Sequence, residues 1–146
     1  MRLQEKLLKM TQPVLLQSFN DEFNLPSDEV EPRTPAEPGQ VLMPCDVKEA
    51  LDPKMQMKFQ SGVGKLLHMM HWSCPDILNA TRELSRHMKR AAKRHMIGMY
   101  RVMRYCLATP ERGFVLRPKG VRNGDRNYEF EIMGMSDANY ATDPST

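Results

Sequence analysis

Six of the eleven prolines fall between residues 26 and 54: Pro26, Pro32, Pro35, Pro38, Pro44 and Pro53. Each fixes φ and removes a backbone donor, so neither a helix interior nor a central strand can run through this stretch. The same residues carry seven acids, Asp28, Glu29, Glu31, Glu37, Asp46, Glu49 and Asp52, and up to Asp52 only Arg33 and Lys48 oppose them. The segment reads as an extended acidic loop. A structureless run of this length is unusual inside a domain, so it is expected to be a linker or a strap over a partner surface. The regular structure must come from the residues on either side.

On the N-terminal side, Leu15, Phe19 and Phe23 recur at four-residue steps, and Pro13 suits the first position of a helix. Leu7 to Met10 fits either a helix or a strand end. Beyond the acidic loop, Phe59, Val63, Leu66, Leu67 and Met70 form a helical stripe that should stop near Trp72, because Pro75 disfavours α geometry at Cys74. Gly62 and Gly64 weaken that helix and are expected to allow close approach to another backbone. Ser73 reads as the N-cap of the next helix, with Asp76 in its first turn. Ile77, Ala80 or Thr81, Leu84 and Met88 form one stripe. Ala92, Met96, Met99 or Tyr100, Met103 and Leu107 form the next. No Gly or Pro separates them, so one long helix or two with a bend near Lys89 both fit.

From Gly113 the period changes to two. Phe114, Leu116 and Pro118 alternate with Val115 and Arg117. A turn follows at Gly120, Asn123, Gly124 and Asp125, and Tyr128, Phe130 and Ile132 alternate after it. This is a β-hairpin pattern. The fold class is therefore α+β: three or four mainly amphipathic helices, then a short β-hairpin, with the acidic loop at 26–54.

Composition narrows the classes of function. At 146 residues the chain has one domain's length. Its longest apolar run, LLHMMHW, is far below the ~20 residues of a membrane span, and MRLQEKLLKM lacks a signal-peptide core, so no membrane partner is expected. Cys45, Cys74 and Cys106 are too few and too scattered for a disulfide framework, which fits an intracellular, reducing compartment.

The net charge of +3 conceals a division between acidic and basic segments. Between residues 82 and 104, Arg82, Arg86, Lys89, Arg90, Lys93, Arg94, Arg101 and Arg104 face only Glu83. So dense a basic run suggests a polyanion partner, although a solvated helix face gives the same pattern. His68, His71 and Cys74 stand three apart with His87 further on, but a structural zinc site needs four ligands at a defined spacing, and incidental histidines account for them better. The thirteen methionines read as core filling. Asp137 at the end of a strand could hold magnesium, yet one carboxylate is not a two-metal site.

Five motifs in order resemble one family. Phe59-Gln60-Ser61-Gly62-Val63-Gly64-Lys65-Leu66-Leu67 resembles the Y-x-S-x-V-G-x-L-L stretch of copia-type retrotransposon Pol polyproteins. Ser73-Cys74-Pro75-Asp76-Ile77 is similar to their T/S-R-P-D/E-I, and Leu84-Ser85-Arg86-His87-Met88 to L-S-R-F/H-M. His95 followed by Arg101 to Thr109 is similar to H…R-V-L/M-R-Y-L/C-x-x-T, and Ser136 to Ala141 to S-D-A-D-W/Y-A. Gln12 to Phe19 and Arg33-Thr34-Pro35 match weaker elements. Cys74 stands where the family usually has arginine.

The resemblance implies that residues 1–110 correspond to the thumb and connection of a reverse transcriptase, and 111–146 to the start of RNase H. It implies that Asp137 is the first RNase H carboxylate, with magnesium the cofactor of the parent family. The palm with its polymerase aspartates, and the remaining RNase H carboxylates, are expected to lie outside this chain. A fragment of this kind is expected to bind RNA–DNA or DNA duplex without sequence preference and not to catalyse by itself. The helices, built to pack on a palm, are expected to leave apolar faces such as Leu66, Met70, Met99 and Met103 uncovered. A stand-alone helical nucleic-acid-binding or scaffold protein, retained by a host, is the alternative.

Overall fold

The computed structural model describes residues 8–25, 31–39 and 41–116. In chain order the elements are β1 (Leu8–Met10), α1 (Pro13–Phe23), α2 (Pro53–Trp72), α3 (Leu78–Ser85), α4 (Lys93–Ala108) and β2 (Phe114–Leu116). Among the described residues, four helices and a two-stranded antiparallel sheet make this an α+β fold. Among the described residues, no helix is long and apolar enough to cross a membrane.

Pro13 opens α1, and Asn24 closes it in the left-handed region at φ 46°, a conformation that asparagine tolerates better than most residues. The helix buries Phe19 and Phe23. Lys65 of α2 fastens it from outside, reaching Glu22 at 2.5 Å and Ser18 Oγ at 3.0 Å. Asp52 caps α2, its carboxylate accepting from the Met55 N–H at 3.0 Å, and Pro53 takes the first helical position.

The buried face of α2 is Phe59, Gly62, Val63, Leu66 and Met69. It packs on Ile77, Ala80 and Leu84 and on Met96, Met99, Val102 and Met103. Leu66, Met99 and Met103 are fully buried, and Met70 is half-buried against the same cluster. The expectation that these faces lack cover is therefore overturned: the helices satisfy one another.

The two α2 glycines do different work. A Cβ at Gly62 would run into Met99 Sδ and lie 2.9 Å from Met103 Cε, whereas one at Gly64 meets nothing. Gly62 thus admits methionine side chains rather than another backbone, and Gly64 faces open space. The backbone approach is at Gly113, where a Cβ would collide with the Met10 carbonyl across the strand pair.

Ser73 ends α2 instead of starting the next helix; its Oγ–H donates to the Met69 carbonyl at 3.2 Å. A 3-10 turn, Pro75–Ile77, leads into α3. The carboxylate of Asp76 serves tertiary contacts, accepting from the Tyr105 hydroxyl at 2.6 Å and from Arg112 at 2.7 Å.

The basic region folds as two helices, parted by residues 86–92. Gln56 explains the break without Gly or Pro. It donates to the Met88 carbonyl at 2.7 Å and accepts from the Ala91 N–H at 2.9 Å, and Gln60 donates to the same Met88 carbonyl at 2.9 Å. Backbone groups that a continuous helix would use internally are taken by α2.

The sequence places a strand at Phe114, and one forms, but its described partner is β1 at the other end of the chain. Leu8 pairs with Leu116, Lys9 with Val115 and Met10 with Phe114. The expected second arm, Tyr128 to Ile132, lies outside the described residues.

Candidate nucleic-acid interface

The described part of the acidic segment, residues 31–39 and 41–50, lies across α3 and α4 of its own chain, as a strap. Leu42 packs against the core cluster. Glu37 accepts from Arg101 at 3.1 Å, and Thr34 Oγ1 lies 3.4 Å from the same guanidinium. Twelve residues on, Glu49 accepts from Arg94 at 2.8 Å, and the Pro44 carbonyl accepts from Arg94 at 2.8 Å. The strap therefore runs antiparallel to α4. It ends in a single bridge between Ala50 and Ala92, and the Leu51 N–H donates to the Ala91 carbonyl at 2.9 Å.

Two histidines lie beneath it. His87 and His95 stack with ring centroids 4.1 Å apart. His95 Nδ1 accepts from the Ala92 N–H at 2.8 Å, so Nε2 carries the proton and donates to the Met43 carbonyl at 3.1 Å. Neutral His95 is thus satisfied at both nitrogens: one contact caps α4 and the other holds the strap. Burial and the neighbouring His87 depress its pKa to about 4. Burial also lowers His87, against a hydrogen bond to the backbone of Leu42 that works the other way.

The eight cations divide into groups. Arg82 on α3, Lys89 and Arg90 on the turn, and Lys93 at the start of α4 are exposed. Arg86 is exposed at the end of α3 and reaches Glu83 at 3.4 Å. Arg94 and Arg101 are half-buried under the strap's acids. Arg104 is half-buried on α4. At helical spacing Lys93, Ile97 and Arg104 share the outer face of α4. The polyanion-ready part of the basic run is therefore the end of α3, the turn and the first residue of α4. Tyr100 is the only aromatic between residues 82 and 104, and it is half-buried.

His68, His71 and Cys74 do not converge on a metal. His68 faces Trp72 with centroids 6.4 Å apart, His71 Nδ1–H donates to the Leu67 carbonyl at 2.7 Å, and Cys74 is buried. Among the described residues no group of three His, Cys, Asp or Glu side chains could hold a metal ion. Asp137, the carboxylate singled out in the sequence, lies outside the described residues.

The stacking of the two histidines is the feature that sequence reasoning missed. His87 and His95 each stand in one of the quoted motifs and flank the basic turn, but nothing in the sequence pairs them. Compared with protein-family models, curated proteins and solved structures, the chain matches none.

Proposed function

We propose that this chain is a thumb-and-connection segment of a copia-type retrotransposon reverse transcriptase, and that it holds duplex nucleic acid by its phosphate backbone. The observation that carries the binding reading is the exposure of Arg82, Lys89, Arg90 and Lys93 on one short stretch, braced from behind by Gln56 and Gln60. A rigid turn bearing several cations suits phosphates, and phosphate contacts give affinity without sequence information. With no exposed aromatic among them, base stacking contributes little. The order and spacing of the five motifs support the family reading.

Fluorescence anisotropy with a labelled RNA–DNA hybrid and with DNA duplexes of unrelated sequence tests this. Equal affinity for every sequence, falling as salt rises, is the expected result. A marked sequence preference, or no binding at low salt, would contradict it.

One observation favours the second reading, a self-sufficient helical module retained by a host. Phe59, Leu66, Met99 and Met103 are fully buried by partners within the chain. A single cooperative unfolding transition of the purified chain supports it; a broad, dye-binding melt supports the fragment.

A further inference from the structure

We propose that the acidic strap, residues 31–39 and 41–50, is an internal competitor that occupies part of the polyanion-binding face and is displaced when nucleic acid binds. This rests on the duplex-binding reading above.

Three observations carry it. First, the strap's acids meet the same basic run that is read as the interface. Glu49 takes Arg94 and Glu37 takes Arg101, seven helical residues apart, or about 10 Å along the α4 axis. Carboxylates at that separation occupy cations that a phosphate backbone would otherwise contact. Second, the strap is held by discrete contacts, among them the two ion pairs, the Pro44 and Met43 carbonyl contacts, the Leu42 side chain and the bridge from Ala50 to Ala92. Between it and the helices remains a cavity of about 170 Å³, lined by Pro35, Leu42, Leu84, Gly98 and Val102. Third, the occupied cations are imperfectly satisfied: the Nε atoms of Arg94 and Arg101 are buried with no acceptor among the described residues. A phosphate, with more acceptor oxygens than a single carboxylate contact supplies, can engage the guanidinium as a fork.

In this reading the bare chain shows a duplex only the cations at the α3–α4 turn. Arg94 and Arg101 join once the strap swings away, so binding couples to an opening step. The exchange swaps carboxylate for phosphate partners at Arg94 and Arg101 and releases the Glu37 and Glu49 carboxylates to solvent.

The test uses the whole chain, a fluorescein-labelled 20-base-pair DNA duplex as probe, and salt titrations of the affinity. The strap variant is Glu37→Gln with Glu49→Gln. The control is Asp21→Asn with Glu111→Gln, which changes the net charge equally at exposed positions away from the strap. The strap variant is expected to bind several-fold more tightly than wild type, with a salt slope steeper by up to about 1.8 for two freed cations. The control should gain much less. Thermal melts confirm that each variant folds. If wild type binds and the strap variant matches the control in affinity and slope, the competitor is wrong and the duplex reading stands. If no variant binds the duplex even at low salt, both fall.

Discussion

His95 Nε2–H donates to the Met43 carbonyl, 52 residues earlier in the chain, while Nδ1 of the same ring caps α4 through the Ala92 N–H. One neutral imidazole thereby joins the strap, the basic turn and the helix behind it. Protonation would place a donor against the Ala92 donor and a buried charge against the stacked ring of His87.

That arrangement sets the sign of the pH dependence. The pKa of His95 is held at about 4, below its ordinary value of 6.5. A depressed pKa gives stability that is complete above the unfolded value and is lost as pH falls toward the folded one. Arg94 and Arg86 oppose the charged rings, and Glu49 and Glu83 favour them. Melting temperature should therefore hold steady above about pH 7 and fall progressively between 6.5 and 4. His95→Gln, which keeps a donor and an acceptor, should flatten that fall. An equally steep fall in the variant would assign it to other groups.

The two α2 glycines should respond in opposite directions. Gly64→Ala enters open space and should stabilise the chain by about 0.5–1 kcal/mol through helix propensity. Gly62→Val must displace Met99 and Met103 from a full core and should cost about 1–3 kcal/mol. Urea denaturation midpoints check both. Equal effects at the two positions would contradict the packing described.

Much of this packing is legible from spacing alone. Phe19 and Phe23, then Phe59, Val63 and Leu66, announce the core faces of α1 and α2. Three features are not, and each depends on contacts between distant residues. The break between α3 and α4 depends on Gln56 and Gln60, roughly thirty residues upstream. The partner of Phe114–Leu116 is at the opposite end of the chain. The acidity of the strap is plain in the sequence, but which cations meet Glu37 and Glu49 is decided only when α4 packs beneath them. The basic run was legible as charge, not as a division between covered and exposed cations.

Gln56→Ala should loosen the turn that presents Lys89 and Arg90. It removes two hydrogen bonds and leaves the Ala91 N–H without its acceptor, at a cost of about 1–3 kcal/mol. Hydrogen exchange at the Ala91 amide should accelerate well beyond the change at core amides such as that of Leu66. Uniform acceleration would mean that Gln56 acts on global stability alone.

The three thiols should separate by reactivity. Cys45 is half-exposed on the strap, whereas Cys74 and Cys106 are buried, with their pKa values raised chiefly by burial. A thiol reagent at mildly alkaline pH should titrate one cysteine rapidly in the native chain and all three in denaturant. Rapid reaction of two or three in the native chain would contradict the core.

The most direct test of the binding account is the salt dependence of duplex affinity in wild type and in a variant with Arg82, Lys89, Arg90 and Lys93 all changed to Gln. Four net phosphate contacts, with Arg94 and Arg101 only exchanging one ion-pair partner for another, predict that log K falls with log salt at a slope of about −4 in wild type, and that most of this slope disappears in the variant. Affinity insensitive to salt, or a slope unchanged by the four substitutions, would contradict it.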